Sequence, residues 1–172
     1  MYRSFGGKAA IPVAILDLGK GILSVLLGLA YAPHFMNSWD FALLTGILCV
    51  LGHSFTCFAG FRGGKGVLTA FGVYLCLVPF AALGAFAIWL GVVWTSRYVS
   101  LASMLAAIVL FILVLWEYTN GLTTVLGVLI TAILSSFVVY RHKGNIHRLL
   151  NGTEHRFGNT RSRHTSEGEI QK

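Results

Sequence analysis

Residues 52–66, GHSFTCFAGFRGGKG, concentrate groups suited to holding an anion: Arg62 and Lys65 stand among three closely spaced glycines, Gly63, Gly64 and Gly66. Glycine reaches backbone conformations closed to residues with a β-carbon, so successive N–H groups in such a run can converge on one phosphate while the cations supply charge. A nucleotide P-loop asks for more. Counting back from Gly64-Lys65, the leading glycine position holds Ala59, and Gly66 stands where a magnesium-binding Ser or Thr belongs. The chemistry indicated is phosphate binding without a nucleotide triphosphate; the alternative is a plain tight turn carrying a lysine.

The usual catalytic arrangements are missing. Gly52-His53-Ser54-Phe55 is followed by Thr56, which breaks a G-x-S-x-G elbow, and none of the six histidines has Asp five positions on. Asp17, Asp40, Glu117 and Glu154 are too scattered to form a carboxylate pair. Cys49, Cys57 and Cys76 lie in or beside apolar runs without metal-ligand spacing and read as reduced packing residues. No metal or cofactor is expected. What remains near the glycine run is His53, His142, Asn145 and Glu154, a set that suits a substrate already activated for reaction. Structural alternatives stand beside each: a hydrogen-bonded histidine at a helix end for His53, and tail capping or an ion pair with Arg148 for Glu154.

The elements that must position these residues are apolar. Of 172 residues, 56% are hydrophobic and 11% charged, and mean hydropathy is +0.75, values of a multi-span membrane protein and not of a soluble domain. The net charge of +7 is confined to the junctions between apolar runs and to the tail, which argues against nucleic acid as partner. Apolar runs over 9–31, 41–58, 101–116 and 122–140 predict helical spans, and 67–96 predicts two short spans meeting near Pro79. Asp17 and Lys20, three apart, share a face of the first span and read as a buried pair or as a substrate lysine.

Charge parity supports this all-α polytopic bundle of six spans. With two short spans in 67–96, Arg97 falls on the side of Arg62 and Lys65, and every basic residue outside the spans lies on that one side with both chain ends, which the positive-inside rule makes cytoplasmic. Three helices, starting near Ala9, Val67 and Ser100, then turn their positive ends to that side. Ser100 stands where an N-cap belongs. Residues 145–150 predict a short amphipathic turn at the membrane surface, and 159–172 a disordered tail after a single domain over 1–158.

These residues resemble a known family. GHSFTCFAGFRGGKGV is similar to the second signature of the bacterial membrane-bound acyl-phosphate:glycerol-3-phosphate acyltransferases, and RHKGNIHRLLNGTE to the third; LDLGKG at 16–21 and RYVSLAS at 97–103 match in order. Thr56 replaces the usual Pro and Arg62 the usual Lys. The family has seven spans. MYRSFGGK aligns with the end of its first signature, so the first span and most of that loop lack a counterpart, and the expectation is a start assigned too late or a truncated product.

The resemblance implies transfer of a fatty acyl group from acyl phosphate to the 1-hydroxyl of glycerol 3-phosphate, forming lysophosphatidic acid at the bacterial inner membrane. Lys65 with the N–H groups of Gly63, Gly64 and Gly66 is expected to bind one phosphate. Arg3, His142 and Asn145 are expected to hold glycerol 3-phosphate, with Ser100 and Glu154 in the same site. His53, His142 or a substrate phosphate oxygen takes the hydroxyl proton. Other readings are a small anion transporter or channel subunit, for which no repeated halves are visible, and a non-catalytic homologue.

Overall fold

A computed structural model describes residues 2–56, 60 and 63–158, with side chains from Ile11 onward. Arg62, Cys57, the Arg3 side chain and the polar tail from 159 lie outside the described residues. Seven helices follow in order: α1 (Tyr2–Ala30), α2 (Ser38–Ser54), α3 (Val67–Leu77), α4 (Pro79–Ser96), α5 (Val99–Thr119), α6 (Val125–Arg141) and α7 (Lys143–Leu150). No strand occurs among the described residues.

Each apolar run becomes a helix. Ile11–Ala30 of α1, α4 and α5 are each long and apolar enough to cross a membrane alone. Helices α2 and α6 have 17 residues, and α3 has 11. At 1.5 Å per residue these rise about 25 Å and about 16 Å. The break near Pro79 falls where expected. Val78 ends α3 and precedes α4 at φ −141° and ψ 67°, because the proline ring disfavours helical geometry in the residue before it and suits the first turn of the helix it opens.

Boundaries move where capping decides them. Helix α2 begins at Ser38, three residues before the expected Phe41, because Asn37 Oδ1 accepts from the N–H groups of Trp39 (2.8 Å) and Asp40 (3.4 Å). It ends at Ser54, not Phe58. Helix α1 starts at Tyr2, so its N-terminus is not at Ala9 as the convergence of three helix starts required. Glu117, expected in a loop, is helical and only 5% exposed.

Helix α1 packs on α2 and α3, α4 on α5, and α5 on α6. The α1–α3 approach is backbone to backbone: a β-carbon on Gly21 would run into the Thr69 carbonyl, and one on Gly72 into the Leu18 carbonyl. Val25, Leu43, Val50, Val73 and Tyr74 fill the core, and the Tyr74 hydroxyl donates to Thr131 Oγ1 at 2.9 Å.

Polar contacts sort the loops into two ends. At one end, Lys65 reaches Asn145, and the Phe157 N–H meets the Arg97 carbonyl. At the other, Thr124 donates to Asp40 (2.6 Å) and Trp39 Nε1 to the Leu77 carbonyl (3.3 Å). Lys65, Arg97, Arg141 and Arg148 therefore share one end, as charge parity requires.

Candidate functional site

The glycine loop is pinned from below. The Gly63 N–H donates to the Ser54 carbonyl at 3.2 Å, while Arg141 Nη2 donates to the carbonyls of Gly63 (3.1 Å), Gly64 (3.0 Å) and Ser54 (3.4 Å). A trans peptide points its N–H opposite its C=O. Arg141, by gathering two consecutive carbonyls, turns the N–H groups of Gly64 and Lys65 together to the opposite side. Neither has a partner among the described residues. This corrects one expectation: the Gly63 amide is occupied, and the Lys65 amide takes its place in the nest. Gly66 ends the loop at φ 75°, the left-handed conformation that lets the chain turn straight into α3.

A second cluster, drawn from α5, α7 and the segment after it, faces Lys65. Lys65 Nζ donates to Asn145 Oδ1 at 2.6 Å, and Asn145 Nδ2 donates to Glu154 Oε1 at 2.7 Å. A carboxylate only accepts and an ammonium only donates, so the amide orientation of Asn145 is fixed by its two neighbours. Ser100 Oγ donates to Glu154 Oε1 (2.9 Å) and Arg148 Nε to Oε2 (2.7 Å). Ser100 is thus not an N-cap: Tyr98 takes that position, and the hydroxyl of Ser100, the second residue of α5, faces Glu154 instead. Glu154 has the Arg148 ion pair expected of it, within a wider network.

Charge at the site is net positive. Burial lowers the Lys65 pKa below the lysine range, Arg148 and Arg141 lower it further, and Glu154 opposes them. For Glu154, burial favours the neutral acid, but the bonds from Asn145, Arg148 and Ser100 and the Arg148 charge outweigh it and hold the carboxyl below its usual range. His142 is 2% exposed, and its Nδ1 lies 2.8 Å from the Val138 carbonyl. A carbonyl can only accept, so Nδ1 carries the proton and Nε2 the lone pair. Burial lowers the pKa of this imidazole, the nearby Lys65 assists, and the Val138 bond and Glu154 counteract in part.

His53 belongs to another group. Lys20 Nζ bonds both Asp17 Oδ1 (2.5 Å) and His53 Nδ1 (2.6 Å). The ammonium donates, so Nδ1 is an acceptor and the proton sits on Nε2, beside Gly64; a β-carbon on Gly64 would collide with this imidazole. The Asp17–Lys20 pair expected on one helix face forms, and the His53 contact that joins it was not visible from spacing. Arg141 was also missed: its type and position in the basic tail motif offered a signal, but nothing specified the carbonyls it gathers.

Beside the polar cluster a cavity of about 290 Å³ opens between α3, α4, α5 and α6. It starts at Val67, Val99 and Val138, next to Lys65, Ser100 and His142, and passes Phe71 and Trp89 to reach Tyr74. Its walls are almost wholly apolar. The unpartnered loop amides thus lie beside an apolar slot.

Residues 1–152 match the model of the family described as "Glycerol-3-phosphate acyltransferase". The chain belongs to that family. A glycerol-3-phosphate acyltransferase of Aquifex aeolicus is 42% identical over 156 residues, covering 90% of this chain and 77% of the relative. One from Fusobacterium nucleatum subsp. nucleatum is 39% identical over 156 residues, 91% of this chain and 76% of the relative. Crystal structures of PlsY (YgiH), an integral membrane glycerol 3-phosphate acyltransferase, are 39% identical and cover 91% of this chain. The glycerol 3-phosphate form has a TM-score of 0.80 over 75% of that chain, and the lysophosphatidic acid form 0.78 over 76%. The protein is accordingly a multi-pass membrane acyltransferase with an all-α fold.

Proposed function

We propose that this acyltransferase moves a fatty acyl group from acyl phosphate to the 1-hydroxyl of glycerol 3-phosphate, releasing inorganic phosphate and lysophosphatidic acid. The observation that carries the reading is the junction of the Lys65–Asn145–Glu154 cluster and its amide nest with the apolar slot between α3 and α6. The slot suits an acyl chain and the nest a phosphate, so their meeting point is where an acyl phosphate carbonyl would sit.

The hydroxyl oxygen attacks the carbonyl carbon, the carbon–oxygen bond to phosphate breaks, and phosphate departs with the electron pair. A mixed anhydride needs no covalent enzyme intermediate, so the protein's contribution is alignment and charge. In this reading Lys65 with the amides of Gly64, Lys65 and Gly66 holds one phosphate. Asn145, His142 and Arg3 hold glycerol 3-phosphate, and Ser100 and Glu154 keep Asn145 in place. Of the two histidines, His142 has its lone pair on Nε2 and is kept neutral, whereas the acceptor nitrogen of His53 is taken by Lys20. That favours His142 over His53 as recipient of the hydroxyl proton, with a substrate phosphate oxygen as the alternative. Residues 1–158 act as one domain in the bacterial inner membrane, with both ends and the site at the cytoplasmic face, where the basic residues gather.

Purified protein should release phosphate from acyl phosphate only when glycerol 3-phosphate is present, with lysophosphatidic acid formed in equal amount. Release without the acceptor would sink the proposal.

A further inference from the structure

Beyond residue 152, where the family match ends, the chain does something its helices do not require. It runs antiparallel to the α4–α5 turn and bonds it rung by rung. Glu154 pairs with Ser100, whose hydroxyl donates at 2.9 Å. Arg156 pairs with Tyr98: Nε donates to the phenol oxygen at 3.0 Å, and the guanidinium lies 5.3 Å from the ring centroid. Phe157 pairs with Arg97, its N–H donating to the Arg97 carbonyl at 2.7 Å. Each step forward in the tail is matched by an equal step back in the turn. Arg97, at φ 60°, is the non-glycine residue with a left-handed backbone among those described, and it ends α4 in that conformation.

The two sides of Glu154 are held differently. On its N-terminal side the chain leaves α7 through Gly152, at φ 67°, and is tied back by the Thr153 N–H on the Arg148 carbonyl at 2.8 Å. On its C-terminal side, among the described residues, the bonds to Tyr98 and Arg97 are what keep the segment down. Inward from Glu154 the chain of contacts continues to Asn145 and then to Lys65. The carboxylate, which accepts from Nδ2, is one of the two neighbours that fix the Asn145 amide.

We propose that Arg156 and Phe157, seated on Tyr98 and Arg97, form a clasp that positions the acceptor site, setting Glu154 and through it Asn145. Arg156 and Tyr98 are positioning residues, remote from the reacting atoms. The inference rests on the reading of Asn145 as a residue of the acceptor site.

The test is steady-state kinetics on the full chain purified in detergent, with Arg156→Ala, Arg156→Lys and Tyr98→Phe beside the wild type, and thermal unfolding of each. Arg156→Ala should raise KM for glycerol 3-phosphate about tenfold, leaving kcat and the KM for acyl phosphate within about twofold. Arg156→Lys, which keeps a cation over the ring, should recover part of that loss, and Tyr98→Phe should fall between. Unchanged acceptor KM in all three variants overturns the clasp. So does a uniform loss of kcat and both KM values that tracks a lowered unfolding temperature, which would make the contact merely structural. If Arg156→Ala does not fold, Tyr98→Phe decides, because it removes only a surface hydroxyl. A wild type that forms no lysophosphatidic acid overturns the acyl-transfer reading itself, a result separable from any variant's.

Discussion

Lys65 is the side chain on which the site's charge depends, and it is held away from water by the same neighbours that orient it. Lys65→Ala should lower kcat/KM for acyl phosphate by about a hundredfold or more, since a charge-assisted bond in the transition state is lost. Its lowered pKa has a sign that can be measured. In the proposed reading the ammonium is what binds phosphate, the protonated form exists below the pKa, and kcat/KM reports the free enzyme. Activity should therefore fall on the alkaline limb at a lower pH than an ordinary lysine would give. Glu154 acts on stability. A carboxyl held below its usual range stabilises the fold above the unfolded-state value, and that contribution is lost as pH falls through the folded-state value. Glu154→Gln should cost about 1–3 kcal/mol at neutral pH. In thermal unfolding, the gap to the wild type should close in acid, below the ordinary glutamate value.

At the scale of elements, the glycine loop is shaped by what its missing side chains would strike. A β-carbon on Gly64 meets the His53 imidazole, whereas one on Gly63 meets the backbone carbonyls of His53 and Ser54. Gly64→Ala should weaken acyl phosphate binding and be partly rescued by His53→Ala, with a coupling of about 1 kcal/mol in the double-mutant cycle. Gly63→Ala should gain nothing from that second change, because a helix carbonyl cannot be trimmed away. Equal rescue of both would contradict the geometry. The same contrast explains what could be read in advance. Apolar run length marked the helices, Pro79 marked the break between α3 and α4, and GGKG marked the tight turn into α3, since each is local. The occupied Gly63 amide, Ser100 facing Glu154 instead of capping α5, and His53 beside Gly64 depend on how the chain folds back on itself. No spacing rule encodes them. Asn37 was a local signal that went unread: the Asn-Ser start of α2 was absorbed into a loop.

At the scale of the molecule, the loops divide cleanly between two ends, and this separation can be probed in cells. Cysteine at Lys143 or His155 should react with a membrane-impermeant maleimide only after the inner membrane is opened, and cysteine at Leu122 before it. The reverse pattern would invert the proposed orientation. Helices α3 and α4 share their far end at Val78, yet α3 has 11 residues and α4 has 18. That difference is about 10 Å of rise, to be taken up by tilt or by depth. Taken up as depth, it sinks the start of α3, and Lys65 with it, beneath the level of the lipid headgroups. An acceptor reaching Lys65 would then meet a carbonyl that never leaves its leaflet, and a newly acylated glycerol would already be in the oil when it is made.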